Sequence, residues 1–220
     1  MEKQIIAVDD ADVSLEDVLE AMKTDRDDAE SVTMAESLFA EAKAVARPKA
    51  LYAPIEPVFV SEKVILNGIT ISERFVFDKL SAQERVVAYV ATCGAEADEW
   101  AKSKTDIFEQ FTADAIKQLY LNAVMKRLFD ETAKYFPEEK FAVTINPGSL
   151  KEWPLAAQRQ LFAILGGVTG DIGVTLSGSC LMTPNKSVSG IMFASDEHYV
   201  NCQLCPKDNC PGRRAKFSVA

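Results

Sequence analysis

The chain of 220 residues contains a single histidine. A Ser-His-Asp arrangement could use only His198, and no G-x-S-x-G elbow accompanies it. Basic residues are also in the minority. Lys and Arg number 24 against 33 Asp and Glu, a formal net charge of −9. Nucleic-acid affinity rests largely on Lys and Arg contacts to phosphate, so the balance excludes DNA or RNA as the expected partner. An acidic surface is equally unsuited to the anionic face of a membrane. No run approaches the ~20 apolar residues that span a bilayer. Met1 to Ala7 is too short for a signal-peptide core before Asp9, Asp10 and Asp12. These absences lead to the expectation of a cytoplasmic protein with neither a membrane nor a nucleic acid as partner.

Phosphate-binding motifs are missing too. The stretch from Gly178 to Lys186-Ser187 is too long for a P-loop. Residues 166–173, Gly-Gly-Val-Thr-Gly-Asp-Ile-Gly, have no strand feeding them in the order a dinucleotide fold needs. They read as a loop closing the helix before them. There is no internal repeat and no low-complexity tract.

What is present is an ordinary globular composition, 48% hydrophobic and 26% charged, which is enough to bury one core. Ser14 with Asp17 forms a capping-box pattern for a helix to about Met22, and a second helix is predicted from Asp28 to Ala46. Pro48, Pro54 and Pro57 then mark a boundary. The expected organisation is a helical N-terminal arm over 1–48, an α+β domain over 49–200 and a cysteine-rich tail over 201–220. Val64 to Ile71 reads as a hairpin around Asn67-Gly68, which tolerates the two positive φ angles of a type I′ turn. Further strands are predicted at 74–77, 85–92, 140–145, 172–177 and 188–194. Helices are predicted at 95–103, 107–135 and 154–165. Strands cluster between helices rather than alternating with them, which favours α+β over a doubly wound sheet.

The strongest local signal is Cys202-x2-Cys205-x4-Cys210. Three thiolates on one short loop can share an ion or cluster, and soft sulfur suits zinc and iron–sulfur centres. Three readings stay open: an iron–sulfur cluster with Cys93 or Cys180 as fourth ligand, zinc completed by His198, or free thiols. Cys93 and Cys180 each also read as small buried hydrophobes. No residue set points to side-chain catalysis.

Segment 143–193 is distinctive. It runs Val-Thr-Ile-Asn-Pro147-Gly148-Ser149, then Trp153-Pro-Leu, then Ile172-Gly-Val-Thr-Leu-Ser177 and Met182-Thr-Pro184-Asn-Lys186-Ser187-Val-Ser189-Gly190. In order and spacing this resembles the S-adenosylmethionine-binding reactivation domain of cobalamin-dependent methionine synthase, over about residues 50–200. The resemblance implies an α+β domain with a curved antiparallel sheet and flanking helices. It further implies a freestanding relative that presents S-adenosylmethionine to cob(II)alamin, as an accessory to the methyltransferase. Cobalamin would be carried by a partner, either a corrinoid methyltransferase or a corrinoid protein, and an electron donor would complete the set. Pro147, Gly148, Ser149, Met182, Pro184, Ser187, Ser189, Gly190 and Tyr199 would then form the cofactor site; the cysteine loop is absent from the family pattern, so Cys202, Cys205 and Cys210 are expected as a metal site on their own spacing alone. The family motif Arg-x-x-x-Gly-Tyr is only half kept, because Thr144 stands at the Arg position and Ser149 at the Tyr position. That departure keeps two further readings in play: a non-catalytic corrinoid-protein binding module with a structural metal knuckle, and an iron–sulfur reductive activator that uses no S-adenosylmethionine.

Overall fold

A computed structural model of the chain describes residues 2–8 and 13–197, together with residues 203 and 216. Its elements in chain order are β1 (Gln4–Ala7), α1 (Leu15–Met22), α2 (Ala29–Val45), β2 (Lys49–Ile55), β3 (Val58–Val60), β4 (Lys63–Leu66) and β5 (Ile69–Ile71). Then follow α3 (Arg74–Leu80), β6 (Val86–Thr92), α4 (Ala95–Lys102), α5 (Ile107–Thr132) and β7 (Phe141–Ile145). The remainder is α6 (Gln158–Leu165), α7 (Val168–Ile172), β8 (Thr175–Leu176), β9 (Met182–Thr183) and β10 (Ser187–Ser195).

The expected α+β class and antiparallel sheet are present. Five strands pair in the order β1-β2-β6-β10-β7. Every pairing among them is antiparallel. All seven residues of β6, Val-Val-Ala-Tyr-Val-Ala-Thr, are buried, because both sheet faces are covered. Side chains alternate across the sheet and divide the interior in two. Tyr52, Val87, Tyr89, Ala91 and Met192 face α1, α2, α4 and α5 in one core. Leu51, Ala88, Val90, Ile145 and Ile191 face α3, α6, α7 and the β3-β4-β5 hairpin sheet in the other. The layers are thus helix, sheet, helix.

The N-terminal 48 residues contribute directly to this body. Strand β1, which the acidic, helix-rich reading of this stretch misses, pairs with β2 from Gln4↔Tyr52 to Ala7↔Lys49 and forms one edge. Val18, Leu19, Leu38 and Phe39 of α1 and α2 are buried in the same core as Tyr52 and Tyr89. The capping box at Ser14 and Asp17 forms as expected.

Two predicted strands are corrected. Residues 74–77 belong to helix α3: Val76 and Leu80, four apart, are its buried pair, and Arg74 bridges Asp78 at 2.7 Å. The aromatic alternation of Phe75 and Phe77 had mimicked a strand. The predicted strand at 172–177 shrinks to Thr175–Leu176, since Ile172 closes a one-turn helix between Gly167 and Gly173, both left-handed. The Asn67-Gly68 hairpin forms as read, with φ of 48° and 78°.

Candidate functional site

Strand β7 is an outer strand of the sheet, and one side of its backbone has no neighbouring strand among the described residues. It ends at Ile145, and β10 begins at Ser187 on the same side of the molecule, because Ile191 pairs with Ile145. The turn at 146–149 and the start of β10 therefore lie toward one end of the sheet. Asn146, not among the nominated residues, joins the Pro147-Gly148-Ser149 turn to Ser189 and Gly190, while Met182 and Ser187 make their contacts elsewhere, with Leu176 and Thr92.

Asn146 Nδ2 donates to the Tyr89 hydroxyl at 2.8 Å and to the Ser189 carbonyl at 2.9 Å. Its Oδ1 accepts from the Thr144 hydroxyl at 3.4 Å. Gly190 makes room for this arrangement, since a Cβ there would lie 2.5 Å from Asn146 Nδ2 and 2.6 Å from the Ile145 carbonyl. Gly148 has φ +81° and donates its N–H to the Trp153 carbonyl at 2.8 Å. Ser149 N donates to the Asn146 carbonyl at 3.2 Å, closing the turn. Gly148 and Ser149 are exposed, whereas Pro147 is buried.

The loop at 182–187 is more a strut than a contact surface. Pro184, Ser189 and Gly190 are buried, and Met182 and Ser187 are half-buried. The Ser187 hydroxyl donates to Thr92 Oγ1 at 2.9 Å, and the Lys186 carbonyl accepts from Cys93 N at 3.0 Å. Met182 pairs with Leu176 in the short β8-β9 hairpin, an element not expected from the sequence. The Ser189 hydroxyl is buried without a hydrogen-bond partner among the described residues.

An ionic cluster backs this loop. Asp98 of α4 and Lys117 of α5 pair at 3.0 Å with side chains 5% and 7% exposed. Burial alone would raise the Asp98 pKa. Hydrogen bonds from Lys102 and Lys117 outweigh burial, and the carboxyl sits below its usual value. No sequence pattern singled out this pair, because both residues read as surface positions of amphipathic helices.

Tyr199, His198, Cys202, Cys205 and Cys210 lie outside the described residues. Cys93 and Cys180 are free and buried. Burial pushes the Cys93 thiol up to about 12, so at neutral pH it is a protonated core side chain. No group of three or more His, Cys, Asp or Glu with metal-binding placement occurs among the described residues. A groove of about 970 Å³ opens at the far end of β10, lined by Arg85, Tyr135, Lys140, Phe193 and Glu197. It contains none of the nominated residues. No helix among the described residues is long and apolar enough to cross a membrane.

No protein-family model matches the chain, and no curated protein matches it. Among solved structures it is similar to the crystal structure of the MetH reactivation domain bound to AdoHcy. The TM-score is 0.58 at 16% identity, covering 90% of this chain and 81% of that one. The chain therefore has the fold of that reactivation domain.

Proposed function

We propose that this protein serves the reductive reactivation of a cobalamin-dependent methyltransferase, presenting S-adenosylmethionine to cob(II)alamin held by a corrinoid partner. What carries the reading is one conjunction. The chain shares its fold with a domain solved with AdoHcy bound, and the exposed Gly148-Ser149 turn stands beside the open edge of β7. Cobalamin on the partner would supply the methyl acceptor once an external donor has delivered one electron, and S-adenosylmethionine would supply the methyl group and leave as S-adenosylhomocysteine. The transfer is exergonic and draws the uphill reduction forward. The protein's part is to hold the donor in line with the cobalt and to keep it from drifting.

The residues at the turn fit part of the ligand. Gly148 and Ser149 leave an accessible backbone beside which an adenosyl group can lie. Thr144 supplies no forked donor for a carboxylate, and its hydroxyl is turned onto Asn146. Weak affinity for the amino-acid end of the ligand follows. The same observation favours a second reading, a corrinoid-protein binding module that takes no methyl donor.

The Cys202, Cys205 and Cys210 set belongs to the proposal as a binding site for an iron–sulfur cluster or zinc. With a cluster it would act as local electron donor; with zinc it would be a structural knuckle. Metal and sulfide analysis of anaerobically purified protein separates these, and absence of both metals removes the metal site.

Hydrogen exchange with and without S-adenosylmethionine tests the ligand site. Protection is expected at 146–149. Protection confined to Tyr135–Lys140 and Phe193–Glu197 would move the ligand into the groove at the opposite end of β10.

A further inference from the structure

The Asp98–Lys117 pair does more than fill a gap between α4 and α5. Lys117 Nζ also donates to the side-chain carbonyl of Asn185 at 2.9 Å, and Asp114 lies 3.8 Å away. Lys102 holds the second oxygen of Asp98 at 2.9 Å, and Lys186 holds the second oxygen of Asp114 at 2.8 Å. Charges therefore alternate from Lys102 through Asp98, Lys117 and Asp114 to Lys186. The row starts on α4, crosses α5 and ends on the loop that opens β10.

An ammonium has three donors. Asp98 satisfies one from the helical layer. Asn185 satisfies another from the loop, and so turns a helix–helix pair into an anchor for the loop. Beyond the anchor the chain is fixed step by step. Lys186 O meets Cys93 N at 3.0 Å, and Ser187 meets Thr92 at 2.9 Å. Two residues on, Ser189 O receives Asn146 Nδ2 at 2.9 Å. The Asn185 contact and the 146–149 turn are thus two ends of one hydrogen-bonded path along the start of β10.

We propose that Lys117 is a positioning residue for the 146–149 turn, acting through Asn185. This rests on the reading that the ligand meets the turn, and Lys117 itself touches no ligand. The buried pair with Asp98 holds the ammonium in one place, so the loop is registered against a fixed point in the helical layer rather than against solvent.

The test uses Asn185→Ala, which removes the loop's acceptor and leaves the Asp98–Lys117 pair intact, and Asn185→Asp, which restores an acceptor. Two quantities are measured on the full chain: S-adenosylmethionine affinity by calorimetry, and hydrogen exchange at 146–149. Asn185→Ala is expected to weaken binding by up to about tenfold, because the lost hydrogen bond to a charged group lies within the fold and only part of it reaches the ligand. It should also speed exchange at the turn, with Asn185→Asp returning both toward wild type. Unchanged exchange at 146–149 in Asn185→Ala overturns the proposal, whatever the affinity. If the wild type binds no ligand, the ligand reading falls by itself. The positioning role then stands or falls on the exchange result alone.

Discussion

The side-chain amide of Asn146 donates to the hydroxyl of Tyr89 at 2.8 Å, tying the turn after an outer strand to the central strand β6. The bond passes over β10, where only Gly190 lets the two side chains approach. Edge turns are ordinarily the least fixed parts of a sheet. Here the turn inherits the rigidity of the core.

Asn146→Ala should cost about 1–3 kcal/mol, since it removes bonds to the Tyr89 hydroxyl and the Ser189 carbonyl in a partly buried setting. Tyr89→Phe should cost less. A double-mutant cycle by urea unfolding should return a coupling of roughly 0.5–3 kcal/mol between the two positions. Strict additivity would show that the bond contributes nothing.

Gly190→Ala brings a methyl group to 2.6 Å from the Ile145 carbonyl, a backbone atom that cannot rotate away. Overpacking of about 1–3 kcal/mol is expected, with β7 displaced from β10. Exchange should rise at 141–149 and remain unchanged in β2. A variant as stable as wild type would contradict the close approach at this position.

The Asp98 carboxyl is held below its ordinary pKa, so its charge stabilises the fold. The contribution is complete above the unfolded value of about 4 and is lost as pH falls through the lower folded value. Asp98→Asn should destabilise the protein at neutral pH by less than the ~3–5 kcal/mol of a buried charge left bare, because Asn185 and Asp114 still face the Lys117 ammonium. The variant should also lose less stability than wild type as pH falls below about 4. Parallel acid-unfolding curves for the two proteins would argue that Asp98 is not charged in the fold.

Thr144→Arg together with Ser149→Tyr rebuilds the Arg-x-x-x-Gly-Tyr pattern around Gly148. Arg brings a fork for a carboxylate, worth about 1.5–3 kcal/mol as a charge-assisted hydrogen bond. Affinity for S-adenosylmethionine should rise at least about tenfold in calorimetric titration. No gain would mean that the ligand's carboxylate does not lie near position 144.

Legibility in the sequence followed the range of the interactions involved. The capping box at Ser14, the hairpin at Asn67-Gly68 and the long helix α5 depend on neighbours a few residues apart, and all were legible. Strand β1 was not, because Gln4–Ala7 becomes a strand only by pairing with β2, across two helices of sequence. Helix α3 was misread because Arg74-Phe-Val-Phe carries strand-forming residues, and only the burial of Val76 and Leu80 decides for a helix. At the site, Gly148 and Gly190 were picked from the motif, and the structure gives each a physical reason: a positive φ and a close approach. Asn146, Tyr89, Asp98 and Lys117 were passed over. Their roles arise from contacts spanning 19 to 68 residues, which no local pattern encodes.

The most direct test of the central claim is calorimetric titration of the anaerobically purified chain with S-adenosylmethionine. The account predicts saturable binding at a single site, weak because Thr144 replaces the motif arginine, with S-adenosylhomocysteine competing for that site. No heat and no competition at millimolar ligand would contradict the methyl-donor role and leave the fold in the service of a corrinoid-binding module.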